Sequence, residues 1–322
     1  MKLLITGSSG FIGSFLVEKG LEKGCEVWAA VRKSSSRQWL QDERINFIEL
    51  NLGDDAALRQ QLTEHVSAHG AFDHVIHAAG VTKCKNPDDF YKINSEGTER
   101  LARLLLETKA LKGRLVYFSS LSILGALHED DYAELTENDV PQPNTAYGKS
   151  KLLAEQNLAK VAGLDYVILR PTGVYGPREK DYKIMADSIR KHIDFAAGYK
   201  KQVITFIYVR DLVDAAYAAL TKGVSGKAYI LSDGYDYSSR AFSDLIQKTL
   251  GVKCVLHFKA PLWFLKFVCR LGVSPTLNLD KYYILSQRNW RCDINPAREE
   301  LGYDPQWPLE RGVEETKEWY SK

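Results

Sequence analysis

Through the first half of the chain, short apolar runs alternate with longer stretches in which apolar side chains return every three or four residues. The runs fall at 3–6, 26–31, 46–50, 74–78, 114–119 and 166–170, and the helix-like stretches lie near 11–23, 54–69, 88–109 and 146–162. Near-continuous apolar runs suit strands buried on both faces. Parallel neighbours need long crossovers, and a helix in each crossover covers a sheet face. The pattern therefore predicts an α/β fold, a doubly wound parallel sheet. After residue 177 the alternation loosens, although 203–220 reads as a strand then a helix and 226–234 as one more strand. The expected division is a first domain over 1–174, with 203–233 contributing to it, and a smaller, mostly helical lobe from 175–202 and 234–322.

The first run passes directly into glycines at 7, 10 and 13. A glycine after a strand permits a tight turn, a second lets the backbone approach a pyrophosphate, and a third lets the next helix pack close to the strand. The first amides of that helix then face an anion. In order, Thr6-Gly7-Ser8-Ser9-Gly10-Phe11-Ile12-Gly13 forms T-G-x-x-G-x-x-G between a predicted strand and a predicted helix, as a Rossmann-type dinucleotide site requires. Thr6, Gly7, Ser9, Gly10, Phe11, Ile12 and Gly13 are the expected cofactor loop. The second strand ends Val31-Arg32-Lys33, with Arg37 close behind and no acid where a carboxylate would hold a ribose 2′-hydroxyl. Arg32 and Arg37 suit a 2′-phosphate by bidentate pairing, so NADP(H) is the expected cofactor, with NAD(H) the alternative.

Downstream stand "VYFSSLSILG" at 116–125 and "YGKSK" at 147–151. Tyr147 and Lys151, four apart, share one helix face. An ammonium beside a phenol favours the phenolate, so Tyr147 is a candidate for exchanging a proton with a substrate oxygen that Ser120 holds by hydrogen bonding. With these motifs in this order, the chain resembles the extended short-chain dehydrogenase/reductase superfamily, the NAD-dependent epimerase/dehydratase type. "HAAG" at 77–80, "INSEGT" at 93–98 and "LRPTGVYGP" at 169–177 extend the resemblance over most of the chain. The resemblance implies a Ser120, Tyr147 and Lys151 triad, with Ser119 and Ser122 as alternatives for the serine, and Asn94 supporting the active site. It also implies Asn51 and Leu52 near adenine, Ala78, Ala79 and Gly80 along the cofactor, Pro171, Thr172 and Gly173 by the nicotinamide, and a homodimer through the helices around 88–109 and 146–162.

The same hydride chemistry serves oxidoreduction, epimerisation and dehydration, so the second half must discriminate. Gly173 precedes V-Y-G-P where nucleotide-sugar enzymes often carry asparagine, and Leu121-Ser122 follow Ser120 where a dehydratase would carry an acid pair. The chain is more similar to the 3β-hydroxysteroid dehydrogenase and dihydroflavonol reductase branch. This implies oxidoreduction between a secondary alcohol and a carbonyl on a small, largely apolar substrate. "PLWFLKFVCRLG" offers Leu262, Phe264, Leu265 and Val268 as a floor for an apolar pocket, or as ordinary lobe core, or as a helix resting on a membrane surface. A nucleotide-sugar epimerase or dehydratase that recycles its dinucleotide is the second reading. A non-catalytic dinucleotide sensor is the third, opposed by the intact triad.

Composition narrows the partners. Forty-three basic against 41 acidic residues leave +2, with no basic excess of the kind nucleic-acid binding needs. The five cysteines are odd in number and lack any C-x-x-C pair, so neither a disulfide framework nor a zinc site is expected, and a reducing cytoplasm fits best. His65 and His69 have helical metal-pair spacing but no third ligand nearby, so no metal is assigned. Thr6-Gly7 interrupts the apolar start far short of a signal-peptide core, and no run approaches the ~18 apolar residues of a membrane span; membrane contact is not expected.

Overall fold

The computed structural model describes residues 1–271 and 278–322. Seven parallel strands form the central sheet: β1 (Lys2–Thr6), β2 (Glu26–Val31), β3 (Asn46–Glu49), β4 (His74–His77), β5 (Leu115–Phe118), β6 (Tyr166–Pro171) and, after four strands that lie outside it, β11 (Ala228–Leu231). Their order across the sheet is β11-β6-β5-β4-β1-β2-β3, so β1 neighbours both β2 and β4. The chain thus leaves β1 towards one edge and returns to the other, and the strand order reverses at the end of β1, where doubly wound folds form their ligand crevice.

Alternation in the strands feeds two cores. Leu3 and Ile5 of β1, with Val116 and Phe118 of β5, face one layer, while Leu4, Leu115 and Tyr117 face the other. The first layer is covered by α1 (Phe11–Glu22) and, from later in the chain, α7 (Val209–Ala219). The second is covered by α2 (Asp55–His69), α4 (Gly97–Glu107) and α5 (Ala146–Leu158), with the segment α3 (Asp88–Phe90) and the π-helical turn Tyr91–Glu96 packed on those helices.

Beyond β6 the chain builds the lobe above the carboxyl ends of the strands. It contains β7 (Gly173–Tyr175), α6 (Asp181–Arg190), β8 (Ile193–Ala197), β9 (Val203–Ile204) and β10 (Phe206–Tyr208). After β11 come β12 (Tyr237–Ser238), α8 (Ala241–Leu250), β13 (Leu256–Ala260), α9 (Leu262–Leu271), α10 (Leu279–Ser286), α11 (Asn295–Leu301), α12 (Leu309–Glu315) and α13 (Lys317–Ser321), of which α11 returns to the first core to pack on β11 and α7. Tyr175, Phe206, Tyr208, Phe242 and Tyr320 make an aromatic third core there, with Tyr182 stacked on Phe242 at 4.4 Å between ring centres. The helical lobe agrees with the sequence pattern, and the strand expected at the start of 203–220 is present as β9 and β10; β7, β8, β12 and β13, and the pairing of β7 with β10, β9 with β12 and β8 with β13, were not read from it. β8 and β13 are half-exposed mixed runs, IDFAA and LHFKA, without the continuous apolar character that marks the buried strands of the main sheet.

Candidate active site

One cavity of about 1180 Å³ runs from the end of β1, across the sheet ends, into the lobe. At its floor Gly7 adopts φ +70°, and a Cβ there would lie 2.7 Å from the Ala78–Ala79 backbone. Gly13 is held harder still: its Cβ would lie 2.0 Å from the Gly7 carbonyl, so only glycine lets α1 seat against the turn. At Gly10 an added Cβ would approach only the Gly7 carbonyl, at 3.2 Å, and otherwise fill the cavity space. The loop is therefore a cradle that side chains would obstruct, with the start of α1 above it, and it fits a pyrophosphate. Ser9, Phe11 and Ile12 complete this wall, and Ser8 is turned away to donate to the Ala30 carbonyl at 2.7 Å.

Thr6 lines the cavity and has a second connection. Its hydroxyl meets His77 Nδ1 at 2.6 Å, His77 Nε2 meets Thr98 Oγ1 at 2.9 Å, and Thr98 donates to the Asn94 carbonyl at 2.7 Å. Because Thr98 spends its proton on Asn94, His77 carries its own on Nε2 and accepts at Nδ1. Full burial holds this imidazole neutral, pushing its pKa down to about 3. The relay ties the glycine turn to Asn94, and the sequence signal for it was the histidine of "HAAG".

Of the predicted adenosine-side residues, Arg32, Asn51 and Leu52 line the cavity with Ser35 and Gly53. Arg32 is exposed and has no ion-pair partner among the described residues. Arg37 does not join it: its guanidinium lies over the Phe47 ring at 4.1 Å, and it is not part of the wall. Ala78, Ala79, Gly80, Pro171, Thr172 and Gly173 all line the middle of the cavity.

Ser120, Tyr147 and Lys151 come together opposite that middle. Thr145 caps α5 by accepting from the Gly148 amide at 2.9 Å, and the Asp280 carboxylate takes the Ala146 and Tyr147 amides, fixing where the helix begins. Lys151 Nζ donates to the Phe118 carbonyl at 2.7 Å and lies 4.9 Å from the Tyr117 ring centre. Burial drives its pKa down to about 8, opposed by the Glu155 carboxylate. Tyr147 is pushed up to about 12 by burial, opposed by its hydrogen bond with Ser120. Ser120 Oγ also accepts from Ser122 Oγ at 2.9 Å. The neighbouring Ser119 is committed elsewhere: its hydroxyl donates to Glu155, which pairs with Arg170 at 2.6 Å in a buried network.

Asn94 stands behind the wall rather than in it. Buried in the π-helical turn, it accepts from the Val81 amide at 2.8 Å and donates to the Val81 carbonyl and to Ser150 Oγ. A Cβ on Gly80 would meet Asn94 Oδ1 at 3.0 Å and Lys151 Nζ at 3.3 Å, so this glycine lets the strand end lie against both.

The NAD dependent epimerase/dehydratase family matches residues 3–232. The chain belongs to that family. It is an enzyme of the extended short-chain dehydrogenase/reductase type, and relatives span its whole length. It is 24% identical to a decarboxylating sterol-4-alpha-carboxylate 3-dehydrogenase of Dictyostelium discoideum, covering 97% of this chain and 99% of that one. To a putative dihydroflavonol 4-reductase of Synechocystis it is 29% identical, over 98% and 93%. The fold superimposes on UDP-glucose 4-epimerase of Thermotoga maritima with a TM-score of 0.79, at 24% identity, covering 100% of this chain and 99% of that one.

The lobe end of the cavity corrects the expectation for α9. None of Leu262, Phe264, Leu265 and Val268 lines the cavity; Leu262 packs beside Gly198, and Phe264 is exposed. The apolar wall comes instead from Tyr182, Met185, Phe195, Phe206, Leu285 and Trp290. These positions are scattered over more than a hundred residues and carry no shared motif, so nothing in the sequence grouped them.

Proposed function

We propose that this family member is an NADP(H)-preferring oxidoreductase that interconverts a secondary alcohol and a carbonyl on a largely apolar substrate. The observation that carries the substrate class is the charge of the cavity's lobe end. Among the described lining residues beyond Gly173 the one cation is Lys281, 3.7 Å from the Asp181 carboxylate, and Glu179 is a second acid. A nucleotide sugar would bring a diphosphate to a wall with net negative charge and no arginine. An apolar body with one oxygen function suits the aromatic wall.

Arg32 is the group that would engage a 2′-phosphate, and the glycine cradle would hold the pyrophosphate. The bound dinucleotide supplies or accepts the hydride. Tyr147 hands a proton to, or takes it from, the substrate oxygen, and Ser120 orients that oxygen. With its pKa pushed up to about 12 by burial, Tyr147 is a phenol at neutral pH, the form needed to donate during carbonyl reduction. Lys151, anchored on the Phe118 carbonyl, places its positive charge beside the phenol, where it lowers the cost of the phenolate.

The test is turnover on a panel of ketones, sterols and nucleotide sugars, followed by nicotinamide absorbance. Net consumption of NADPH with an apolar ketone is expected. Conversion of a nucleotide sugar without net change in absorbance would refute the oxidoreductase reading. Tyr147→Phe should abolish turnover while leaving NADPH affinity unchanged, and Arg32→Ala should weaken NADPH by at least about tenfold with little effect on NADH.

A further inference from the structure

Helix α9 is apolar on both sides, with Leu262, Leu265, Val268 and Cys269 turned inward and a second apolar stripe turned out. Among its side chains Trp263 is 73% exposed, Phe264 47%, Phe267 56% and Leu271 59%, at i, i+1, i+4 and i+8, whereas Cys269 is buried. A surface helix of a soluble domain turns such a stripe inward. The adjoining β8 and β13 add to it: parallel register puts Leu256 beside Ile193 and Phe258 beside Phe195 on one face, and the Phe195 and Phe258 rings stack at 5.6 Å. Phe195, Leu256 and Phe258 are all exposed.

Charge says what covers this face. From residue 245 to 279 there is no aspartate or glutamate, against Lys248, Lys253, Lys259, Lys266 and Arg270, in a chain whose net charge is only +2. Lys200 and Lys201 flank the neighbouring end of β8. Of these seven, only Lys248 has an ion-pair partner among the described residues, Glu310. A second copy of this chain docked symmetrically would set cations against cations. An anionic bilayer surface supplies what the patch lacks: acyl chains for the aromatic stripe and headgroup phosphates for the cations.

The geometry points to an interfacial membrane-docking surface formed by α9, β8 and β13, binding anionic phospholipid. Among the described residues no helix is long and apolar enough to cross a membrane, and a ten-residue helix of about 15 Å lies in the interface rather than through it. Phe195 belongs both to the exposed patch and, with Ala196 and Ala197, to the cavity wall, so the docked face adjoins the cavity. If the proposed apolar substrate is correct, it enters from the lipid side; the docking itself does not depend on that reading.

The whole protein is sedimented with vesicles of phosphatidylcholine mixed with phosphatidylglycerol, without substrate, and compared with Trp263→Ser/Phe267→Ser, two positions outside the cavity wall. The parent should pellet with the mixed vesicles, less with phosphatidylcholine alone and less in high salt. The variant should lose at least about tenfold in partitioning while keeping NADPH affinity. No binding by the parent, or equal binding by the variant, overturns the proposal. So does a drop from dimer to monomer caused by the variant in sedimentation velocity, which would make the face a self-interface. Substrate plays no part in the assay, so this failure and a failure of the oxidoreductase reading are separately visible.

Discussion

Lys151 pays for its position in stability, and the amount can be worked out. Its side chain is buried in the cavity wall, and burial lowers its pKa from 10.5 to about 8. At pH 7 lysine is charged in both folded and unfolded chains, and carrying that charge into the site costs about 3 kcal/mol. Between pH 8 and 10.5 the folded protein binds fewer protons at this group than the unfolded chain, so its contribution to stability rises with pH, and by pH 10 the cost has fallen to about 1 kcal/mol. Lys151→Met removes the charge and keeps most of the volume, but leaves the Phe118 carbonyl without its 2.7 Å donor, a loss of about 1 kcal/mol. The variant should therefore be about 2 kcal/mol more stable than the parent at pH 7 and roughly equal to it at pH 10, while losing turnover. Urea unfolding of both cofactor-free proteins at the two pH values measures the difference, and groups common to both cancel. A stability difference that stays constant from pH 7 to pH 10 would refute the reasoning.

Gly13→Ala should destabilise by about 1–3 kcal/mol despite alanine's better helix propensity, because the new Cβ meets the Gly7 carbonyl, and it should weaken NADPH; thermal unfolding and a fluorescence titration check both. Glu155→Leu leaves Arg170 buried without its counter-charge, at a cost of about 3–5 kcal/mol, and Glu155→Leu/Arg170→Leu should recover most of it in the same unfolding assay. His77 lies near 3 when folded against an ordinary 6.5, so the unfolded chain binds the extra proton and stability falls as pH drops through that window. In His77→Asn, stability measured from pH 6.5 to pH 4 should decline less steeply.

The strands of the first half were legible as near-continuous apolar runs buried on both faces, and the helices between them as long stretches with a three-to-four-residue apolar repeat. The glycine loop was legible because steric demand leaves one residue type at Gly7 and Gly13. Tyr147 and Lys151 announced themselves by helix spacing. Ser119 and Ser120 both line the cavity, and what the sequence could not show is their bonding: the Ser119 hydroxyl is spent on Glu155, whereas Ser120 Oγ accepts from Ser122. Arg32 and Arg37 read alike as nearby cations, yet Arg37 is drawn to the Phe47 ring. For α9 the sequence pattern grouped Leu262, Phe264, Leu265 and Val268, whereas the exposed stripe is Trp263, Phe264, Phe267 and Leu271; a helix that is apolar on both sides carries no period to say which side meets solvent.

The late arrival of β11 also bears on how the chain is made. Its four residues close the β6 edge of the main sheet, pairing Ala228 with Ile168 through Leu231 with Pro171. Until they are synthesised, β6, buried along its whole length in the finished fold, offers an unpaired strand of mostly apolar residues. At typical translation rates the interval between residues 171 and 231 lasts about 3–12 s, ample for a nascent chain to find a wrong partner. Shortening the lobe inserted between these strands would therefore protect folding yield, and a fragment ending after β6 should accumulate in inclusion bodies.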